Sequence, residues 1–238
     1  MRDMIQWPCP LPGGGAADEW ALTETPHGGG VHGAQQARLL IVPALFDEAN
    51  KLRRFTVEVM RRLCASGIGC VLPDLPGCNE SLLPLEEQTP GDWQAAMEGA
   101  ARHFGCSHVL AMRGGALVAP RGMPGWHYAP VAGAGQMRQM LRARILAARE
   151  AGRSETQDSL LEAGRVHGLE LAGYRLGADF IAEFGGMVAD GGPQVQTIAQ
   201  DMLGGPGLWL RPEPGENAEQ ADALAAVVAV GLVQGETA

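Results

Sequence analysis

Residues 108–120 read HVLAMRGGALVAP, and the start of this stretch decides the fold. Val109, Leu110, Ala111 and Met112 form an apolar run too short for an ordinary helix and without the polar alternation of a half-exposed strand. Such a run is a strand covered on both faces, the kind found in parallel sheets. It ends at Arg113-Gly114-Gly115, where two glycines allow the chain to turn tightly.

The same grammar repeats towards the N-terminus. Residues 92–104 place Trp93, Ala96, Met97 and Ala100 on one helical face. Before them, GCVLPD at 69–74 is a second buried strand. Residues 53–65 repeat apolar side chains at Phe55, Val59, Met60 and Leu63 and stop at Ser66-Gly67, which predicts a helix. The run at 39–42, ended by Pro43, is the first buried strand. Strand, helix, strand, helix, strand in this order means parallel strands joined by right-handed crossovers.

Towards the C-terminus the pattern predicts a strand at 125–130 and an arginine-rich helix at 134–151. A polar helix or loop at 153–166, a short strand at 169–174 and a helix at 177–189 follow. Late strands at 195–200 and 207–211 and an alanine-rich helix at 217–233 complete the reading. Residues 1–37 are expected to be loop-rich, with short edge strands at 4–7 and 20–25 and a flexible PHGGGVHG at 26–33.

The 238 residues suit one α/β domain, here 1–238, with 134–190 as a helical insertion or cap-like segment. With 46% apolar but only 5% aromatic residues, the core must be built mainly from Ala, Leu, Val and Met. A net charge of -9 argues against nonspecific nucleic-acid binding. The five cysteines, Cys9, Cys64, Cys70, Cys78 and Cys106, are odd in number and contain no CxxC pair. They suggest neither a disulfide framework nor a zinc site, and free thiols imply a reducing compartment. No apolar run approaches a membrane span or a signal peptide, so the expected location is cytoplasmic. No cofactor or metal is expected.

Three stretches then carry a resemblance: PALFDEANKLRR at 43–54, LPDLPGCNES at 72–81 and AMRGGALVAP at 111–120. Their order resembles an α/β-hydrolase, in which the loop after the first of these strands supplies an oxyanion-hole amide and the later turn supplies the nucleophile. More narrowly, the DEANK segment, the tandem arginines and the DLPGC turn resemble the exosortase A system-associated hydrolase 2 group. WHYAPVAGAGQMRQMLRARILAA at 126–148 and LELAGYRLGADF at 169–180 are similar to that group too. The resemblance implies an α/β-hydrolase-like fold with a mostly parallel central sheet, helices on both faces and a reduced C-terminal part. It also implies a bacterial setting tied to exopolysaccharide production and sorting at the cell envelope, with a protein partner from that system. It supplies no reaction, because a fold hosts many functions.

A nucleophile elbow keeps small residues around its central position, and Ala111, Gly114 and Gly115 retain them. The central residue is Arg113, whose guanidinium stays protonated and cannot attack. The expected late histidine is missing: His167 is the last, and it precedes the final strands. Glu213 and Glu216 are candidate acids, but RPEPGE reads better as an exposed turn. Whether any enzymatic activity remains is therefore open. Cys78, in the turn after the second strand, is the alternative nucleophile for an atypical ester or thioester hydrolase, weighed against a packed small residue. Ser81 reads as a cap. Asp47, Glu48, Asn50, Lys51, Arg53 and Arg54 crowd the loop and helix start near Arg113. Two readings stand: Arg113 pairs with Asp47 or Glu48 as a structural substitute for the lost site, or Arg113 binds a small anionic or acyl ligand. In the second, the amides of Gly114 and Gly115 at a helix N-terminus would assist, whereas the hydrolase reading would take an oxyanion hole from the amides near Ala44, Leu45, Phe46 and Gly114. Arg138, Arg142, Arg144 and Arg149 read as a solvated face or a docking surface for an acidic partner or an anionic membrane surface.

Overall fold

The computed structural model describes residues 1–26 and 37–235, and most of the glycine-rich stretch expected to be flexible lies outside them. β1 (Arg2–Pro10) and β2 (Ala16–Glu24) form an antiparallel hairpin paired from Arg2 opposite Glu24 to Pro10 opposite Ala16. The hairpin is longer than the two short strands expected. Its ladder continues through polar residues such as Asp3 and Asp18, where a hydrophobicity pattern stops. Pro8 and Pro10 are accommodated because β1 is the edge strand and one side of it needs no donors.

The parallel part follows the sequence reading closely: β3 (Arg38–Val42), β4 (Gly69–Pro73), β5 (His108–Met112) and β6 (Gly125–Tyr128). A small separate hairpin, β7 (Leu169–Leu171) and β8 (Tyr174–Leu176), replaces the single strand expected at 169–174, because Ala172 and Gly173 turn the chain at positive φ. β9 (Val195–Ile198) closes a seven-stranded sheet of order β1-β2-β4-β3-β5-β6-β9. Within this sheet the pairings β4–β3, β3–β5, β5–β6 and β6–β9 are parallel, and those of β1–β2 and β2–β4 are antiparallel. The chain therefore has an α/β fold with a mostly parallel central sheet.

Helices cover both faces. α1 (Asp47–Ala65) and α6 (Ala218–Gly235) pack on one side, where Leu52, Phe55, Val59 and Met60 of α1 meet Leu39, Ile41, Leu110 and Met112 of the sheet. α2 (Pro90–Phe104) covers the other, with Trp93, Ala96, Met97 and Ala100 against Leu40, Val42, Val109 and Ala111. Thr89 caps α2 by accepting from the Asp92 amide at 3.1 Å while the Asp92 carboxylate accepts from the Thr89 amide at 2.8 Å. α3 (Gly133–Glu150), α4 (Gln157–His167) and α5 (Ala178–Phe184) join the α2 side through Met137, Met140, Leu160, Phe180 and Phe184. α5 is shorter than expected, ending where Gly185 and Gly186 follow Phe184.

One expected strand is corrected. Residues 207–211 hold a single 3-10 turn, Leu208–Leu210, which buries Leu208 against the α1–α6 side. A short apolar run bounded by glycine and proline does not by itself distinguish a strand from a turn whose side chains plug a core.

Candidate functional site

β5 delivers Arg113 to the carboxyl edge of the sheet in a strained backbone, with φ at 53°. A bulky residue there costs about 1–3 kcal/mol and persists only when its surroundings hold it. Glycine is required just beyond it. A Cβ at Gly115 would lie 2.2 Å from the Pro43 carbonyl oxygen, and one at Gly114 would lie 2.3 Å from Oε1 of Gln136. The turn is thus clamped between the β3 exit and α3. It leads into a 3-10 segment, Arg113–Leu117, and not into an α-helix, so the helix N-terminus expected beside Arg113 is not there.

The Arg113 side chain is committed on every side. Nε donates to Glu48 Oε2 and Nη2 to Glu48 Oε1, both at 3.0 Å, a bidentate pairing of the fork with the carboxylate. Nη1 donates to the Ala129 carbonyl at 2.7 Å, and the guanidinium carbon lies 3.8 Å from the centre of the Trp209 ring. The arginine and glutamate side chains are only 12% and 6% exposed, so the pair is sealed from water. Asp47, the other expected partner, faces outward and pairs with Lys51 at 2.8 Å instead.

α1 carries the remaining charged residues. Its N-cap, Phe46, is also strained, with φ at 56°, and its ring sits in an aromatic nest. Tyr174 and Phe184 approach edge-on at 5.3 and 5.5 Å between centroids, with Phe180 and Trp93 behind. The loop that would offer oxyanion-hole amides, Leu45 and Phe46, is therefore walled by α2, α5 and the β7–β8 hairpin. Gln136 of α3 lies over Gly114, and its Oε1 is buried without a partner among the described residues. Arg54 pairs with Glu216 at 2.6 Å, while Arg53 reaches Asp74 only at 3.5 Å.

Two adjoining clefts flank Phe46. The first, about 360 Å³, lies at the carboxyl ends of β3 and β4 and is lined by Leu45, Phe46, Asn50, Arg53, Leu75, Cys78 and Trp93 among others. The second, about 250 Å³, lies between the start of α1 and α3 and includes Glu48, Gln136, Met140 and Tyr174. Among the described residues, neither is lined by a histidine. His167 closes α4 in an exposed position, and Glu213 and Glu216 lie in an exposed turn.

Cys78 lines the first cleft, but its thiol is pushed up to about 12 by burial, with the carboxylates of Asp74 and Glu19 adding to the effect. At neutral pH it is a thiol and a poor nucleophile. Ser81 donates to Glu19 Oε1 at 2.6 Å and accepts from the Gly77 amide at 2.8 Å, so it braces the turn. Glu19 and Asp74 are fully buried carboxyls, both raised first by burial; Glu19 Oε2 and Asp74 Oδ2 lack partners among the described residues. Sequence reasoning passed over this pair, although Glu19 shares the inward face of β2 with Ala21. It also passed over Ala129, Trp209 and Gln136, which reach Arg113 and Gly114 only through the fold.

No family model matches the chain, and no curated protein does. Among solved structures, the α/β hydrolase GrgF from Penicillium sp. is 13% identical over 77% of this chain and 72% of that one, with a TM-score of 0.47. A proline iminopeptidase-related protein from Thermus thermophilus is 18% identical over 69% of this chain and 56% of that one, at 0.44. Epoxide hydrolase A from Mycobacterium thermoresistibile is 13% identical over 61% and 45%, at 0.43. The chain spans 60%, 54% and 40% of the length of three further solved chains. These are likenesses of fold, and no activity passes across them.

Proposed function

We propose that the protein is an α/β-hydrolase-like binding or accessory component without serine-hydrolase activity, working in an exosortase- or exopolysaccharide-associated system. The observation that carries the loss of activity is Arg113. At the turn where a nucleophile would stand, its guanidinium is held by Glu48, the Ala129 carbonyl and the Trp209 ring. Among the described residues, neither adjoining cleft offers a histidine to activate a replacement. The association with an envelope system rests on the sequence likeness in the DEANK, DLPGC and 126–148 segments. On this reading the chain is one domain with 134–190 as a cap-like segment, and it acts in the cytoplasm. No helix among the described residues is long and apolar enough to cross a membrane.

Binding by Arg113 itself is the weaker reading, because a ligand would have to displace a buried bidentate pair. A thiol hydrolase using Cys78 is weaker still, because the thiolate is disfavoured by burial and by two neighbouring acids. Purified protein treated with a serine-directed fluorophosphonate is expected to remain unlabelled. Stoichiometric labelling, with loss of short-ester turnover by the same reagent, would overturn the proposal.

A further inference from the structure

The basic residues of α1 are paired very unequally. Lys51 lies 2.8 Å from Asp47, Arg54 lies 2.6 Å from Glu216, and Arg61 and Arg62 both hold Glu58. Arg53 has one protein partner among the described residues, Asp74 Oδ1, and that contact is stretched to 3.5 Å. A guanidinium carries five N–H donors in a planar fork, so most of its donors are unspent. The side chain is 39% exposed and lines the larger cleft. Ala49, Arg53 and Thr56 are spaced as one helical face, and with Asn50 they form the α1 wall of that cleft.

The rest of the cleft is apolar where it is deep. Leu45, Phe46, Leu72, Leu75 and Trp93 are all buried side chains on its lining. Trp93 spends its indole N–H on the Pro76 carbonyl at 2.9 Å, so it offers the cleft only apolar surface. A volume of about 360 Å³ with an apolar floor and one convergent cation at the wall has the makeup of a small-molecule site. The charge balance selects the head group. Among the described residues Arg53 is the cleft's one cationic side chain, and the buried carboxyls of Asp74 and Glu19 lie behind the same turn. A single-charged carboxylate matches one fork; a phosphate dianion would need more positive charge than the site has.

We propose that the cleft at the carboxyl ends of β3 and β4 binds an organic carboxylate with a compact apolar body, its carboxylate on Arg53 and its body against Phe46, Leu75 and Trp93. The site is distinct from Arg113, whose donors serve the protein. The inference rests on reading the protein as a binder and names the ligand class.

The test uses the full chain and calorimetric titration with 3-phenylpropionate, 3-phenylpropionamide and 2-phenylethyl phosphate. The carboxylate is expected to bind saturably, and the amide and the phosphate about tenfold or more weakly. Arg53→Gln is expected to lower carboxylate affinity by about tenfold or more, whereas Arg54→Gln leaves it unchanged. Because Arg53→Gln also strips Asp74 of its cation, Arg53→Lys and Ala49→Leu are measured beside it. The first keeps the charge and loses the fork, and the second fills the cleft; both are expected to weaken binding. Equal affinity for acid and amide, tighter binding of the phosphate, binding that survives Ala49→Leu, or no binding of the carboxylate would overturn the site. Those results would leave fluorophosphonate labelling unchanged, so failure of the carboxylate site and failure of the non-catalytic reading are distinguishable.

Discussion

Truncating Glu48 to alanine would leave the Arg113 guanidinium buried with two of its donors unpaired. Removing one partner of such a pair costs about 3–5 kcal/mol, and urea unfolding of Glu48→Ala should show a loss of that order. Asp47→Ala removes only an exposed i,i+4 pair with Lys51 and should cost less than about 0.5 kcal/mol. Equal losses for the two variants would contradict the assignment. The choice between these acids could be read from the sequence. The i,i+4 spacing offers Asp47 to Lys51, and Glu48 falls in line with Leu52, Phe55 and Val59, which face the sheet. What the sequence could not supply was Arg113 as the partner, sixty-five positions further on. Glu19 gives a prediction with a pH sign. Burial raises its pKa above the ordinary value of 4.5, so the folded state holds the proton more tightly than the unfolded chain does. The stability this contributes is full below 4.5 and is lost as pH rises through the raised value. Glu19→Gln keeps an acceptor for Ser81 without the charge, so its melting temperature relative to wild type should climb as pH rises from 4.5 through the raised value. A flat or falling difference would contradict the buried-carboxylate account.

At the scale of elements, the turn after β5 depends on a backbone contact with the exit of β3. Gly115→Ala drives a methyl group to within 2.2 Å of the Pro43 carbonyl, and the loop cannot yield without moving the start of α1. The variant should lose about 1–3 kcal/mol or fail to fold, as judged by thermal unfolding. A neutral result would mean that the turn is looser than described. The three central strands were legible because β3, β4 and β5 are buried on both faces, and continuous apolar runs say so directly. The start of α1 was hidden by Asp47, Glu48, Asn50 and Lys51, polar residues that break the apolar period, although the two acids favour a helix N-terminus by charge. The β1–β2 hairpin was under-read for a related reason: its pairing runs through polar positions. The Leu208–Leu210 turn was over-read, since apolarity reported burial and not strand.

At the scale of the molecule, the fold brings three strained or clamped segments, at Phe46, Arg113 and Ala129, to one edge of the sheet and ties them together with a single ion pair. The strain sits at the turn itself, while the side chains there hold the structure together. The tight turn after β5 was legible from its small residues. The aromatic nest around Phe46 was not, because Tyr174, Phe180 and Phe184 come from segments far along the chain. The measurement that tests this most directly is turnover of p-nitrophenyl butyrate and its thioester analogue by wild type, Arg113→Ser and Cys78→Ala. All three are expected to stay at the buffer rate, because restoring a hydroxyl at 113 does not restore a base. Turnover by wild type above that rate and lost in Cys78→Ala, or turnover gained in Arg113→Ser, would contradict the account.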